Sequence, residues 1–324
     1  MSATLRIAAV LGLALATSLA AQAQTQWPTK PVRIIVTQAA GNATDIMART
    51  VTERLTISTG QQFIVENRPG GANVIGAQAA ARSAPDGYTF MFATGAVFTT
   101  NPFTLKALPY DPVKDFTMVS LIARGPFMIV AHPSLPANNL AEVVELARRE
   151  PGKLNMATDQ PRNYTGLVAS WITRASNANI VTVPYVNMPQ GVQDLLANRV
   201  QLSILALPAA GPHLAAGNLK PIAITTAQTI PGHENVKPIA ELIPGFDISG
   251  WFAFVAPAGT PRDIVEKFNV ETGKVLDDAA FQKRISEMGF FSFGSHTFEK
   301  ADAFLKADIA AWKKIIDALG IEPQ

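Results

Sequence analysis

The chain has 324 residues, a formal net charge of +2 and no cysteine. The near-neutral charge, without a Lys/Arg cluster, excludes the electrostatic footprint of a nucleic-acid binder. The missing cysteine excludes disulfides, thiol catalysis, thiolate metal sites and a lipid-anchored cysteine.

Arg6 forms a thin positive region, Ile7 to Ala16 is apolar, and Ala21-Gln22-Ala23 fits a small-residue cleavage site. The pattern predicts a signal peptide over residues 1–23 and a mature protein in a bacterial periplasm. About 300 residues remain, which is long for one core and suits two domains.

The mature chain opens on an apolar strand, Val32 to Val36, followed by the loop Thr37 to Ala43 and a helix start at Thr44-Asp45. A strand that feeds a helix through small residues makes an anion cradle, because the first helical N–H groups lack partners and the dipole favours negative charge. The same residues also fit a plain turn with Thr44 or Asp45 as the helix cap. Asp45 is a poor direct partner for an anion and suits a cap or a water-orienting role.

Ile46 to Leu55 reads as a helix, Gln62 to Glu66 as a strand, and Asn73 to Ala81 as a small-residue helix. Tyr88 to Phe92 is a strand ending in Ala93-Thr94-Gly95-Ala96. Thr94 and Gly95 there fit a turn and a ligand contact equally well. Phe116 to Val130 carries two apolar runs split by Arg124-Gly125-Pro126, a pattern that suits a crossover between domains. Next come a helix at Leu140 to Arg149, a strand at Leu154 to Thr158, and a loop from Asp159 to Thr165 before the helix Gly166 to Arg174. Ile180 to Pro184 is a strand, Gly191 to Asn198 a helix, and Leu202 to Leu207 a strand. A short helix closes at His213 to Gly217 before the strand Pro221 to Thr225.

Trp251 to Ala256 is a second crossover, matching Phe127 to Val130, and the tail is helical at 261–276, 279–288 and 298–319. Trp251, Phe252 and Phe254 read as packing residues, with Trp251 and Ala253 on one face and Phe252 and Phe254 on the other. Phe298, Phe304, Trp312 and Ile316 form a helical stripe expected on the first domain. The alternation of strands and helices predicts an α/β protein with a largely parallel sheet. Two crossovers imply residues 24–124 and 251–324 as a discontinuous first domain and 125–250 as an inserted second one. A cleft between them closes about a hinge.

Ordered along the chain are Trp27-Pro28-Thr29-Lys30-Pro31, Val65-Glu66-Asn67-Arg68-Pro69-Gly70, Ala84-Pro85-Asp86-Gly87-Tyr88, Leu108-Pro109-Tyr110-Asp111-Pro112, Val183-Pro184-Tyr185 and Ala256-Pro257-Ala258-Gly259-Thr260-Pro261. In that order the chain resembles the periplasmic receptors of tripartite tricarboxylate transporters, the Bug-type solute receptors. The resemblance implies a two-domain periplasmic binding protein fold. It also implies capture of a small, usually carboxylated solute for delivery to membrane permease subunits.

In that family the first strand–helix loop holds a ligand carboxylate and usually reads Pro-Pro-Gly-Gly before Thr-Asp. Here it reads Ala39-Ala40-Gly41-Asn42-Ala43 before Thr44-Asp45, so only one glycine remains. The resemblance thus points to Ala40, Gly41, Asn42, Ala43, Thr44 and Asp45 as ligand-binding. Where relatives carry a Gly-Asn-Gly-Ser type loop, this chain has Gln160-Pro161-Arg162-Asn163, then Tyr164-Thr165. Arg162 could grip a carboxylate bidentately or be a solvated loop residue. Asn163 and Thr165 fit contacts or helix caps, Tyr164 an aromatic wall, and Tyr185 the cleft wall. Leu205-Ala206 stands where many relatives carry Asp-Asn. Together these departures suggest a ligand with an apolar or aromatic body and one or two carboxylates.

The four histidines are isolated, and no H-E-x-x-H, G-x-S-x-G, phosphate-loop or dinucleotide motif occurs. The chain therefore reads as a non-enzymatic receptor without metal or cofactor, and nothing in it argues for a stable homodimer. A ligand-presenting receptor for a membrane sensor and a secreted hydrolase stay as alternatives.

Overall fold

The structure is a computed structural model, and it describes residues 27–159, 164–185 and 188–323. The expected signal peptide, residues 1–23, lies outside the described residues. In chain order the elements are β1 (Val32–Val36), α1 (Ala43–Thr59), β2 (Phe63–Asn67), α2 (Val74–Ala81), β3 (Thr89–Thr94), α3 (Ala96–Thr99), α4 (Asn101–Thr104) and β4 (Phe116–Ala131). They continue with α5 (Leu140–Arg149), β5 (Asn155–Thr158), α6 (Tyr164–Ser176), β6 (Val181–Pro184), α7 (Met188–Leu196), β7 (Leu202–Ala206), α8 (Leu207–Ala215) and β8 (Lys220–Ile224). A 3-10 turn (Ile239–Glu241), β9 (Ser249–Pro257), α9 (Arg262–Leu276), α10 (Ala279–Glu287), β10 (Phe291–Ser292) and α11 (Phe298–Leu319) complete the chain.

The strands form one path in the order β2-β1-β3-β9-β4-β7-β5-β6, with β8 and β10 also paired to β4. β4 organises it. Its first stretch pairs with β9, from Phe116 opposite Pro257 to Pro126 opposite Ser249. Its last stretch, Phe127 to Ala131, pairs with β7. Sixteen extended residues reach roughly 50 Å, enough to serve both halves of the sheet. Arg124-Gly125-Pro126 therefore lies within one continuous strand rather than separating two.

Two expectations need correction. The sheet is mixed rather than largely parallel: β1, β2 and β3 run parallel, as do β5, β6 and β7, but β9 is antiparallel to β3 and to β4. The crossover strands carry the chain out and back, so they must oppose each other at the centre. Trp251 to Ala256 also pairs with the first half of β4, while Phe127 to Val130 faces β7 and β8.

Alternation along β9 sorts its side chains as expected. Trp251, Ala253 and Val255 enter one apolar cluster, and Phe252, Phe254 and Ala256 another. The C-terminal stripe divides differently from the expectation. Leu305 and Ala301 of α11 pack beside Trp251 in the first half, whereas Trp312, Ile315 and Ile316 join the cluster of the second half with Ile129 and Phe246. α11 has 22 residues, about 33 Å at 1.5 Å per residue, and so runs across both halves.

Candidate ligand-binding site

The ends of β1, β3 and β7 converge with the two crossover strands on a cavity of about 240 Å³. Drug-sized ligands fill roughly 300–1,000 Å³, so this volume suits a small metabolite. Six aromatic side chains line the wall: Phe127, Tyr164, Trp251, Phe252, Phe290 and Trp312. The Phe127 and Tyr164 rings stack at 4.3 Å, and Tyr164 lies 5.2 Å from Trp312. At the end of β3 a Cβ on Gly95 would stand 2.8 Å from the Trp251 indole. Only a residue without a side chain lets the backbone lie this close to the ring.

The polar end is built from Gln38, Ala43, Thr44 and Asn73. Asn42 caps α1: its Oδ1 accepts the Asp45 N–H at 3.0 Å, and its carbonyl accepts the Ile46 N–H at 2.9 Å. The first N–H groups of a helix have no acceptor within it. With those two engaged, the N–H groups of Ala43 and Thr44 are the ones the helix start cannot satisfy. They sit where the helix dipole favours an anion. The predicted cap at Thr44 or Asp45 is thus Asn42 instead, because its extended backbone (φ −84°, ψ 173°) places its amide one residue ahead of the helix.

Side chains hold this loop in shape. Gln38 Oε1 accepts from Asn42 Nδ2 at 2.8 Å and from Thr44 Oγ1 at 2.7 Å. Asp45 is buried and accepts from the Gly41 N–H at 2.8 Å, Asn67 Nδ2 at 2.9 Å and Arg49 Nε at 3.0 Å. Burial pushes the Asp45 carboxyl up, but Arg49, the Gly41 N–H and Asn67 outweigh it and hold it below the usual carboxylate value. The Gly41 N–H reaches Asp45 from a left-handed backbone (φ +82°), a conformation glycine adopts at little cost.

Five of the predicted contacts line the cavity: Ala43, Thr44, Thr94, Gly95 and Tyr164. Ala40, Gly41, Asn42 and Asp45 are not on its wall, and the last three form the hydrogen-bonded frame of the loop. Thr165 is buried away from it, with Oγ1 accepting the Asp159 N–H at 2.8 Å. Tyr185 also stands off the cavity. Its ring packs on Gly191, and its hydroxyl donates to Asp194 Oδ2 at 2.8 Å. Arg162 and Asn163 lie outside the described residues.

Sequence reasoning named Tyr164 as an aromatic wall but not Gln38, Asn73 or the other rings, Phe127, Trp251, Phe252, Phe290 and Trp312. Gln38 follows a strand end and could have been flagged by position alone. Trp251 and Phe252 were read as packing residues, which they are, but they also face the cavity. Trp312 carried no local signal, since it comes from the other end of the chain.

Two buried hydroxyls at the cavity, Thr94 Oγ1 and Tyr164 OH, have no hydrogen-bond partner among the described residues. Behind the wall, Trp251 Nε1 donates to Asp308 Oδ2 at 2.7 Å. Burial raises the Asp308 carboxyl to about 6; the Trp251 hydrogen bond opposes this and Asp247 adds to it. The folded value lies above the ordinary carboxylate value of 3.8. This carboxyl therefore supports the fold fully below about pH 4 and loses that contribution as pH rises through 6. Asn at this position still accepts from Trp251 and has no charge to bury. Asp308→Asn should thus gain about 1–2 kcal/mol over the parent above pH 7, after allowing for solvent screening, and little at pH 4. Urea unfolding at the two pH values measures this, and equal gains at both would count against the buried charge.

Among the described residues no group of three or more His, Asp or Glu could hold a metal ion, and no helix is long and apolar enough to cross a membrane. His296 is tied into the fold, its Nε2 accepting the Leu121 N–H at 3.0 Å.

A family model described as "Tripartite tricarboxylate transporter family receptor" matches residues 47–321. BugT of Bordetella pertussis is 30% identical over 319 residues, spanning 97% of this chain and 98% of BugT. A Rhodopseudomonas palustris protein solved with adipate superposes with a TM-score of 0.81 at 33% identity, covering 92% of this chain and all of the other. MatC from Rhodopseudomonas palustris, solved with bound malate, gives a TM-score of 0.75 at 25% identity over 90% of this chain and all of MatC.

Proposed function

The chain belongs to the tripartite tricarboxylate transporter family of receptors, and we propose that it captures a small organic carboxylate in the periplasm and delivers it to the membrane subunits of such a transporter. The observation that carries this reading is the helix start at Ala43 and Thr44, which opens into an apolar cavity of about 240 Å³. Two N–H groups at the positive end of a helix suit a carboxylate, and the aromatic wall suits the body attached to it. The relatives solved with adipate and with malate support a carboxylate as the ligand class.

Capture is an equilibrium. The ligand exchanges its water for the backbone amides of Ala43 and Thr44, with Thr94, Gly95 and Tyr164 along its body. Gly41, Asn42 and Asp45 keep the loop in register. We assign residues 24–124 and 251–324 to one domain and 125–250 to the other, closing about β4 and β9 over the ligand. Secretion is assigned to residues 1–23, and the working form to a monomer. No covalent step, metal or cofactor belongs to this mechanism.

A thermal-shift series tests it. A ligand at a hundred times its Kd adds about 2.7 kcal/mol of stability. Small carboxylates should therefore raise the melting temperature saturably, and the matching carboxamides should not. Equal shifts from acid and amide would remove the carboxylate from the reading.

A further inference from the structure

Given the ligand site proposed above, on which this rests, we infer that Asp308, itself off the cavity wall, is a positioning residue for the ligand: by holding the Trp251 indole it sets the wall along which the solute's body lies.

Phe304, Asp308 and Trp312 stand four residues apart on α11, so their side chains lie one above another on a single face. Phe304 meets the Trp251 ring edge-on at 5.8 Å. One turn on, Asp308 Oδ2 accepts the Trp251 Nε1–H at 2.7 Å. One turn further, Trp312 lies 5.2 Å from Tyr164. Trp251, Trp312 and Tyr164 all line the cavity, and Asp308 acts on it through the first of them.

Ring packing alone leaves the indole a freedom that this hydrogen bond removes. Trp251 stacks on Phe98 with centroids 6.0 Å apart and planes 17° apart, which fixes the plane of the ring. Within that plane a ring slides at little cost, because dispersion has no preferred direction. A hydrogen bond is directional and fixes where the N–H points. A charged acceptor makes it stronger still. Burial works against a carboxylate here and raises it to about 6, so the chain keeps this acceptor against an electrostatic cost.

The edge that Asp308 holds is the edge that meets the site. A Cβ on Gly95 would stand 2.8 Å from both Nε1 and Cε2 of Trp251. The backbones behind this contact are already tied, with Thr94 opposite Phe252 and the Gly95 N–H donating to the Trp251 carbonyl at 3.1 Å. The indole is therefore the part that can move. Released from Asp308, it would shift against Thr94 and Gly95 and change the surface offered to the ligand.

The test titrates adipate, hexanoate and benzoate calorimetrically into the parent, Asp308→Leu and Asp308→Asn near neutral pH. Leu fills a similar volume without an acceptor. Acids that bind the parent should bind Asp308→Leu about tenfold more weakly, as if about two methylene groups had lost the wall. Asn keeps an oxygen acceptor and should restore most of the affinity. The chain has four tryptophans, and Trp251→Phe identifies the Trp251 indole N–H in a proton–nitrogen NMR spectrum. That resonance should move upfield in Asp308→Leu and stay in place in Asp308→Asn, while the melting temperature of Asp308→Leu stays close to the parent's. In the Trp251→Phe background, where there is no N–H to hold, Asp308→Leu should leave affinity unchanged. Parental affinity in Asp308→Leu, or an equal loss with and without the Trp251 N–H, would overturn the inference and leave the carboxylate reading standing. A melting temperature that falls with the affinity in Asp308→Leu would mark a structural role and overturn it too. Binding of none of the three acids by the parent would overturn both.

Discussion

Ala43→Pro should weaken binding of a carboxylate about 10- to 100-fold while leaving the fold as stable as before. Ala43 is the first residue of α1. Proline is favoured there because the missing N–H has no partner in the helix and the ring fixes a helical φ. Asn42, before it, is already extended at φ −84° and ψ 173°, the conformation that a following proline requires. The substitution therefore removes one donor from the cavity and little else. A hydrogen bond to a charged acceptor contributes about 1.5–3 kcal/mol, which sets the expected loss. Ala43→Val adds comparable bulk but keeps the N–H, so it separates the lost donor from steric crowding. Calorimetric titration of the three proteins with hexanoate decides the matter. Parental affinity in Ala43→Pro, or an equal loss in Ala43→Val, would take the Ala43 amide out of the carboxylate site.

Trp312→Ala should cost about 3–5 kcal/mol of stability, the usual range for truncating a buried tryptophan. Trp312 is only 3% exposed and belongs to the cluster that holds Ile129, Leu167 and Phe246. Its ring also lies 5.2 Å from Tyr164, on the cavity wall. α11 packs on the first half of the sheet through Ala301 and Leu305, then on the second half through Trp312, Ile315 and Ile316. Losing the largest of these anchors should loosen the second contact and widen the cavity at once. Urea unfolding gives the stability, and titration with benzoate the affinity. Both should fall together in Trp312→Ala and largely return in Trp312→Phe, which refills the space with a ring. A loss below about 1 kcal/mol would mean that the site collapses around the missing ring, contrary to the close packing expected of a core.

Most of the elements were legible because they depend on local pattern. The strand before the loop, the helix after it and the tail helices follow from period-two and period-3.6 spacing that each segment carries by itself. The alternation that sends Trp251 and Phe252 to opposite faces was equally local. Pairing direction was not. Nothing within Phe116 to Ala131 records that it lies antiparallel to β9, since that depends on where the chain goes over more than a hundred intervening residues.

The candidate site divides along the same line. The helix start proposed for the carboxylate lies in one short stretch, Gly41 to Asp45, because a loop and the helix start after it are neighbours in sequence. Even there the capping residue lay two or three positions earlier than expected: Asn42 competes with Thr44 and Asp45 for the same role, and backbone geometry decides among them. Tyr185 stands off this cavity because its partners, Gly191 and Asp194, come from the following helix. The aromatic wall draws Phe127, Tyr164, Trp251 and Trp312 from four distant segments, and no spacing rule links them.

The sequence by itself thus determined the receptor family, the order of strands and helices, and the helix start that suits a carboxylate. Each of these is written in local composition or in ordered motifs. Only the tertiary structure decided what lines the cavity at that helix start: the stacked rings, with the Asp308 carboxylate hydrogen-bonded to Trp251. The physical reason is that side-chain burial and charge proximity act through space. Residues far apart in the chain come to share a low-dielectric wall, and which ones do so is set by how β4, β9 and α11 cross the two halves of the sheet.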